Sequence, residues 1–294
     1  MAALAEAAAL LNIGGGDDEG GGCKCGAVAG GAALPPLLAA PLSAADERVL
    51  AENAQATLTL PNGATIDVRR LLEPCRWLTD EPVNAFLSLV QERCRGRVLI
   101  LPTHFMQLLT NDGTGYDYDR VRNITSMKRK QLLKRCGVSS GVFGGELQAV
   151  LIPVHVAKIH WWLAVVDLRS REVLCLDSAR GGASAWDPSM GANALASIVR
   201  WLEDERKDKG GAEGGKAAAW VQVLAPAHAP QRDPNRAGDC GVFCSAAADW
   251  WTSGAAGAWG YGSGDMPSFR RKMAALLLLR HQAGGDDNDD RGKK

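Results

Sequence analysis

The sequence has no net charge, because its 294 residues contain 33 Lys and Arg and 33 Asp and Glu. That balance gives no chain-wide positive field of the kind that draws a protein to nucleic acid or to an anionic membrane surface. The sequence also has no run of about 18 apolar residues, which is the length that a membrane-spanning helix needs. We therefore expect neither nucleic acid nor a membrane among its partners.

A secretory signal and a dense set of cysteines are also missing. The N-terminus is apolar but has no basic region, and the early acidic residues at 6 and 17–19 do not fit a transit peptide. The eight cysteines are scattered, at positions 23, 25, 75, 94, 136, 175, 240 and 244. This spacing is not that of a disulfide framework, so we expect free thiols in a reducing, intracellular compartment.

A zinc site has little support in the sequence. Zinc needs about four ligands, usually supplied as closely spaced pairs. Cys23 and Cys25 form one such pair, but no second pair lies nearby. A second set of four possible zinc ligands lacks a short-spaced pair of the usual kind. It consists of His155, His160, Cys240 and Cys244. No metal is expected.

Composition divides the chain into three parts. Residues 1–42 are rich in Ala and Gly and have few large side chains to offset ordering entropy, which predicts a disordered leader. Residues 284–294 are mostly charged and predict a disordered tail. Residues 43–283 are expected to form one globular domain, since the chain is long and apolar enough for a sizeable core.

The pattern within residues 43–283 predicts the α+β class. Pro61-Asn-Gly between two short β-like runs signals a hairpin. Dense apolar runs predict strands covered on both faces by helices, at 149–154, 161–167, 172–177 and 220–224. Helical spacing predicts helices at 83–94, 119–136, 189–207, from 240 onwards and at 268–281. We therefore expect a central mixed sheet flanked by helices.

The stretch from Gln231 to Trp251 holds the strongest chemical signal. A loop with Pro, Asn and Gly precedes Cys240, and the apolar segment after it predicts a helix that begins at this cysteine. The N-terminus of a helix carries partial positive charge and free N–H groups, which favour a thiolate over a thiol. Cys240 is therefore the candidate nucleophile, whereas Cys244, one turn further along, is expected to be a core residue.

A nucleophilic thiol needs a general base, and the sequence has only five histidines. His160 opens a predicted strand of a hairpin. If Asp167 pairs with Glu172, then Asp177 lies opposite Trp162 and shares a face with His160. Asp167 itself lies on the opposite face and far along the strand. We therefore predict a Cys–His–Asp triad in which Asp177 orients His160, the alternative being a purely structural histidine.

A basic cluster lies on the helix predicted at 119–136. Its members are Lys128, Arg129, Lys130, Lys134 and Arg135. A solvated helix face explains them, and a docking surface for an acidic partner or a nuclear-import signal remain as alternatives. No interleaved aromatic residues support nucleic-acid binding.

Four stretches resemble, in the same order, motifs of the Ulp/SENP family of cysteine proteases that act on SUMO and related ubiquitin-like modifiers. They are RWLTDEPVNAFL, FMQLLTNDGTGYDYDRVRNIT, VLIPVHVAKIHWWLAVVDLRSREVLCLDSARGG and PNRAGDCGVFCSAAADWW, within about residues 71–251. The resemblance implies a papain-like fold of the Ulp type. It also implies Cys240 as nucleophile, His160 as base and Asp177 as orienting acid, which are the residues that the hairpin register selects.

The resemblance further implies residues that bind the modifier. In the family two Trp side chains form a narrow tunnel over the modifier's terminal Gly-Gly, and Trp77 and Trp161 occupy those positions here. Flat rings on both sides leave room only for residues without a Cβ, although core packing explains each Trp equally well. Asp80 is the expected contact to the modifier, since Thr79 stands where the family usually has Asn or Asp.

A Gln shortly before the nucleophile donates to the oxyanion in this family, beside a backbone N–H at the cysteine. Gln231 is its counterpart here, although it lies nine residues before Cys240, and the family's Gln lies only about six before. Gln222 on the preceding strand is the weaker candidate.

The activity implied by the resemblance is that of a thiol isopeptidase and endopeptidase. It would cleave after the Gly-Gly terminus of a ubiquitin-like modifier, through a thioester acyl-enzyme and without a metal or organic cofactor. SUMO is the expected modifier and the Nedd modifier the alternative. Deconjugation is expected, with precursor maturation as a further activity, in a monomer of the nucleus or cytoplasm. Two rivals remain: an acyltransferase with the same three residues, and a modifier-binding module whose site has decayed.

Overall fold

A computed structural model describes residues 35–126, 131–139, 141–179, 188–210, 219–224, 238–254 and 260–289. Its strands are β1 (Thr57–Thr59), β2 (Thr65–Asp67), β3 (Val98–Ile100), β4 (Ala149–Val156), β5 (His160–Asp167), β6 (Glu172–Leu176) and β7 (Val221–Leu224). Strands β3 to β7 form one sheet in chain order. The two outer pairs are parallel and the two inner pairs antiparallel. This mixed sheet confirms the predicted α+β class.

Helices cover both faces of the sheet. They are α1 (Ala44–Asn53), α2 (Val68–Leu72), α3 (Asp80–Arg93), α4 (Phe105–Leu109), α5 (Gln131–Arg135), α6 (Pro188–Lys209), α7 (Cys240–Ser253) and α8 (Met266–Asp289). Successive residues of β5 alternate between two cores: Leu163 packs with α3, α7 and α8, whereas Ala164 packs with α4 and α6. Burial on both faces explains why these strands are apolar throughout. No helix in the described ranges combines the length and apolar character needed to cross a membrane.

The predicted hairpin around Pro61-Asn-Gly is confirmed. Strands β1 and β2 pair antiparallel, with Leu58 opposite Ile66. Gly63 has φ of +81°, a conformation that suits glycine in a tight turn. Both Leu58 and Ile66 are buried, so the hairpin packs onto the core that contains α3 and α8.

The packed region begins earlier than the sequence analysis placed it. Residues 35–42, which fall in the predicted leader, lie against the domain. The backbone N–H groups of Leu37 and Leu38 donate to the carboxylate of Asp249 at 3.0 and 2.9 Å. Leu38 is buried in the core. A short apolar segment is ordered here because a buried carboxylate on α7 accepts its backbone donors.

Two further boundaries differ from the expectation. Residues 119–126 form turns rather than part of a helix, and α5 is limited to 131–135. Tyr118 and Thr125 donate to the carboxylate of Glu205 on α6 at 2.8 and 2.6 Å, and these contacts fix the turns. At the C-terminus, α8 continues to Asp289, into the segment predicted as a tail. In the basic cluster, residues 128–130 lie outside the described ranges.

Candidate active site

Cys240 is the first residue of α7, as the sequence predicts. The helix runs through the core, against β5, α3 and α8, and its first turn is buried with it. Two glycines flank the cysteine, and both permit close approach. A Cβ on Gly238 would lie 1.8 Å from the carbonyl oxygen of Cys75, and one on Gly241 would lie 3.3 Å from Cδ1 of Trp161. The turn before the thiol therefore has no space for a side chain at 238.

The β5–β6 hairpin brings the predicted base and acid together. Asp167 pairs with Glu172 and Leu163 with Leu176, which is the predicted register. Asp177 follows directly after β6, and its Oδ1 lies 2.7 Å from Nε2 of His160. The same oxygen accepts the backbone N–H of Ala179 at 3.0 Å, which holds the carboxylate in place.

The imidazole of His160 joins that carboxylate to the thiol. Its side chain also forms a hydrogen bond with the side chain of Cys240. Because Nε2 is engaged by Asp177, Nδ1 is the ring nitrogen left for the sulfur. The three predicted triad residues therefore form one connected chain from a buried carboxylate to a thiol at a helix N-terminus.

The environment of His160 favours its protonated form. Burial by itself would lower the pKa of His160, but the hydrogen bonds to Asp177 and Cys240 outweigh it and raise the pKa to about 9. At neutral pH the imidazole therefore holds a proton. A proton transferred from the thiol of Cys240 is stable there, which is the condition for a thiolate–imidazolium pair.

Cys244 differs from Cys240 despite lying on the same helix. Its thiol is fully buried and donates to the carbonyl of Trp162 at 3.4 Å. Burial and the nearby Cys240 raise the pKa of Cys244, so it stays a neutral thiol. Among the described residues, no three His, Cys, Asp or Glu side chains are grouped as metal ligands. The burial of Cys244 within the hydrophobic core agrees with its predicted role as a core residue.

Residues 76–281 match the Ulp1 protease family, C-terminal catalytic domain. The chain belongs to this family. Ubiquitin-like-specific protease 1A of Arabidopsis thaliana is 30% identical over 253 residues, which cover 81% of this chain and 45% of that protein. Sentrin-specific protease 2 of Homo sapiens is 26% identical over 211 residues, covering 70% and 31%. This chain thus spans less than half the length of either relative.

Solved structures of the Ulp1 family share the fold. The C-terminal Ulp1 protease domain in complex with Smt3, the yeast ortholog of SUMO, has a TM-score of 0.59 at 22% identity, over 82% of this chain and 96% of that one. The catalytic domain of the Ulp1-like SUMO protease of Chaetomium thermophilum has a TM-score of 0.55 at 26% identity, over 84% and 94%. The Ulp-type fold expected from the sequence motifs is confirmed.

The two tryptophans expected to form the Ulp-type tunnel lie near Cys240. We call Gly238 and Asp239, the residues that lead into Cys240, the nucleophile turn. Trp77 is 44% exposed, and its Cδ1 would lie 2.8 Å from a Cβ on Gly238. Trp161 is 1% exposed, stacks on His155 at 3.9 Å and donates from Nε1 to the carbonyl of Leu78 at 3.0 Å. The structure thus places both rings near the start of α7, one open to solvent and the other packed in the core.

Asp80, the expected contact to the modifier, is the first residue of α3. Its Oδ1 is buried and has no hydrogen-bond partner within the described ranges. Its charge acts on His155: burial lowers the pKa of His155, and the Asp80 carboxylate opposes that effect. The Oδ1 atom of Asp80 is therefore a buried acceptor, close enough to His155 to affect its charge, that no described residue satisfies.

The expected oxyanion donor cannot be placed in the same way. Gln231 lies outside the described residues, and its role stays a prediction. Gln222, the weaker candidate, is on β7 opposite Val173. Val173 precedes Asp177 by four residues, a separation of roughly 13 Å along a strand. Gln222 is therefore remote from the end of β6 that leads into Asp177.

Sequence reasoning missed Arg270, a buried arginine on α8 that contacts the residues just before Cys240. In the sequence it is the first of three basic residues, Arg270, Arg271 and Lys272, which resemble a solvated helix face. The available signal was its spacing, since it lies four residues after Met266 and three before Met273 on an apolar stripe.

Proposed function

We propose that this chain is the catalytic part of a cysteine protease that cleaves after the C-terminal Gly-Gly of a ubiquitin-like modifier, with SUMO as the modifier. The hydrogen-bonded series Cys240–His160–Asp177 at the start of α7 carries the proposal, in a chain of the Ulp1 family. The names of its relatives support the substrate class, because they are ubiquitin-like-specific and sentrin-specific proteases.

The triad geometry supports acyl transfer to the thiol. His160 accepts the thiol proton, and the Cys240 thiolate attacks the carbonyl carbon of the modifier's last glycine. The negative charge that develops on the carbonyl oxygen lies at the positive end of α7, where backbone N–H groups stabilise it. Asp177 keeps the imidazole in the orientation and charge state that this transfer requires.

Collapse of the tetrahedral intermediate breaks the C–N bond. The His160 imidazolium gives its proton to the departing amine, which is the lysine side chain of a conjugate or the next residue of a precursor. The remaining thioester on Cys240 is attacked by water, which His160 deprotonates, and the free carboxylate of the modifier is released. The thiol is regenerated, and no metal or organic cofactor enters any step.

The residues around the thiol support recognition of a glycine terminus. Trp77 offers an exposed ring beside the nucleophile turn, and the buried Trp161 lies against Gly241, the residue after Cys240. A backbone without a Cβ fits between flat rings where a larger residue would clash. Asp80, half-buried at the start of α3, is the residue that we propose contacts a donor group of the modifier. Gln231 remains the proposed second donor to the oxyanion.

Release of a fluorogenic amide from the Gly-Gly termini of SUMO, the Nedd modifier and ubiquitin tests the proposal. We expect rapid release from SUMO, no detectable release by Cys240→Ala, and retained modifier binding in that variant. Cys244→Ala is the matched control, because it removes a buried thiol of the same helix that donates to the carbonyl of Trp162, and its release rate per folded protein should be retained. Absence of release from every modifier by a folded protein would contradict the protease function.

A further inference from the structure

Arg270 on α8 is fully buried, with 0% of its surface exposed. Burying a guanidinium is unfavourable unless its charge is paired and its N–H groups find acceptors. Its paired carboxylate is Asp239, the residue just before the nucleophile: Nε and Nη2 lie 2.9 and 2.8 Å from Oδ1 of Asp239. Nη2 also donates to the carbonyl of Gly238 at 2.9 Å. The guanidinium therefore holds both residues that lead into Cys240.

The same guanidinium reaches the segment on the other side of the site. Nη1 donates to the carbonyl of Leu71 at 3.3 Å, and Nη2 donates to the carbonyl of Arg76. Arg76 immediately precedes Trp77, the exposed ring beside the nucleophile turn. One side chain thus joins the turn that presents the thiol to the segment that presents this tryptophan.

Asp239 occupies the N-cap position of α7, and its side chain makes no capping hydrogen bond. An Asp at an N-cap ordinarily accepts a backbone N–H of the first turn. Here Oδ1 is engaged by Arg270 instead. The carboxylate therefore neither occupies the N–H groups at the start of the helix nor leaves an unpaired negative charge beside the thiol.

We propose that Arg270 is a positioning residue for the nucleophile: it draws the Asp239 carboxylate away from the start of α7 and fixes the turn that presents Cys240. The inference rests on the proposed function, in which Cys240 attacks the substrate. Without Arg270, like-charge repulsion from Asp239 would disfavour the thiolate. The freed carboxylate would also compete with the oxyanion for the helix N–H groups.

Other titratable groups also surround the nucleophile. His160 and Asp177 face it from the β5–β6 hairpin, Cys244 lies one turn further along α7, and the half-buried Cys75 lies against Gly238. Asp239, unlike these groups, is an acidic residue that directly precedes Cys240 in the chain. A change in its pairing therefore changes the electrostatic environment of the thiol.

The test combines Arg270→Met with the double variant Arg270→Met/Asp239→Asn. The rate of iodoacetamide alkylation of Cys240 is measured against pH for each folded protein, together with kcat and KM on the SUMO amide. Alkylation needs no modifier, so a wrong choice of substrate leaves this readout intact. Lys272→Met is the matched control. Lys272 lies on the same helix as Arg270 and forms a buried ion pair with Asp46, whose Oδ2 is 2.6 Å from Nζ.

For Arg270→Met we expect the alkylation midpoint to rise by about 1 pH unit or more, as an unpaired neighbouring carboxylate does to an anionic group. We expect kcat to fall by about tenfold or more while KM changes less, because the loss concerns the reacting groups. In the double variant the midpoint should return to that of the unaltered protein, since the repelling charge is gone. Lys272→Met should lower stability only.

The proposal is overturned if Arg270→Met has the alkylation profile and kcat of the Lys272→Met control, which would show a purely structural arginine. It is also overturned if the double variant keeps the shifted midpoint. Arg270→Lys provides a second route if Arg270→Met does not fold. Its ammonium still pairs with Asp239, so we expect an unshifted midpoint and a lowered kcat, and an unchanged kcat would contradict the proposal.

Discussion

Asp177→Asn should separate the charge of the triad carboxylate from its shape. The carboxylate is fully buried, lies 2.7 Å from Nε2 of His160 and accepts the backbone N–H of Ala179. Asn keeps the size and one acceptor oxygen but removes the negative charge. The rise in the pKa of His160 from 6.5 to about 9 corresponds to a preference for the imidazolium of about 3 kcal/mol. Without that charge, only the interaction with Cys240 is left to oppose burial, so the pKa of His160 should fall.

The direction of the pH effect follows from which form is active. In the unaltered protein the imidazolium persists up to about pH 9, so activity should be lost as pH rises through about 9. In Asp177→Asn this basic limb should move to lower pH, because the pKa of His160 falls. At pH 7.5 the value of kcat/KM should fall by about 10²- to 10⁴-fold, as in triads with an altered acid.

The assay is the pH dependence of kcat/KM on the SUMO amide, with the alkylation rate of Cys240 measured in parallel. Asp167→Asn is the matched control, because Asp167 is a buried carboxylate of the same hairpin whose Oδ1 accepts the backbone N–H of Arg169 at 2.8 Å, away from the triad. Its basic limb should stay near that of the unaltered protein. A basic limb that also stays in place in Asp177→Asn would refute the assigned role of Asp177.

Two further predictions concern stability. Asp249→Ala removes the carboxylate that lies 2.6 Å from Arg93 and accepts two backbone N–H groups of the 35–42 segment. It should lower the free energy of unfolding, measured in urea, by about 3–5 kcal/mol, because the Arg93 charge is left buried and unpaired. An unchanged urea midpoint would contradict the role of Asp249 in holding this segment. Ala157 and Lys158, in the turn before His160, both have positive φ. Lys158→Gly should therefore raise the free energy of unfolding by up to about 1 kcal/mol, because left-handed strain is relieved. A lower melting temperature of this variant would argue against strain in the turn.

Much of the candidate site could be predicted because it depends on short-range geometry. The two-residue period of a strand and the pairing of Asp167 with Glu172 were enough to place Asp177 beside His160. A polar loop followed by an apolar helix was enough to place Cys240 at a helix N-terminus. The dense apolar runs indicated a sheet covered on both faces. Each of these inferences uses residues that are close in sequence or paired by a tight turn.

Other features depend on which distant segments meet. Arg270, Arg271 and Lys272 have the same chemical character in sequence, and only the packing of α8 under the nucleophile turn selects Arg270 for burial. The order of residues 35–42 likewise depends on a carboxylate more than 200 positions away. The sequence by itself determined the class of fold and the three reacting residues, because these follow from local periodicity. The tertiary structure alone decided what supports them, because burial of a charge depends on partners that no local pattern identifies.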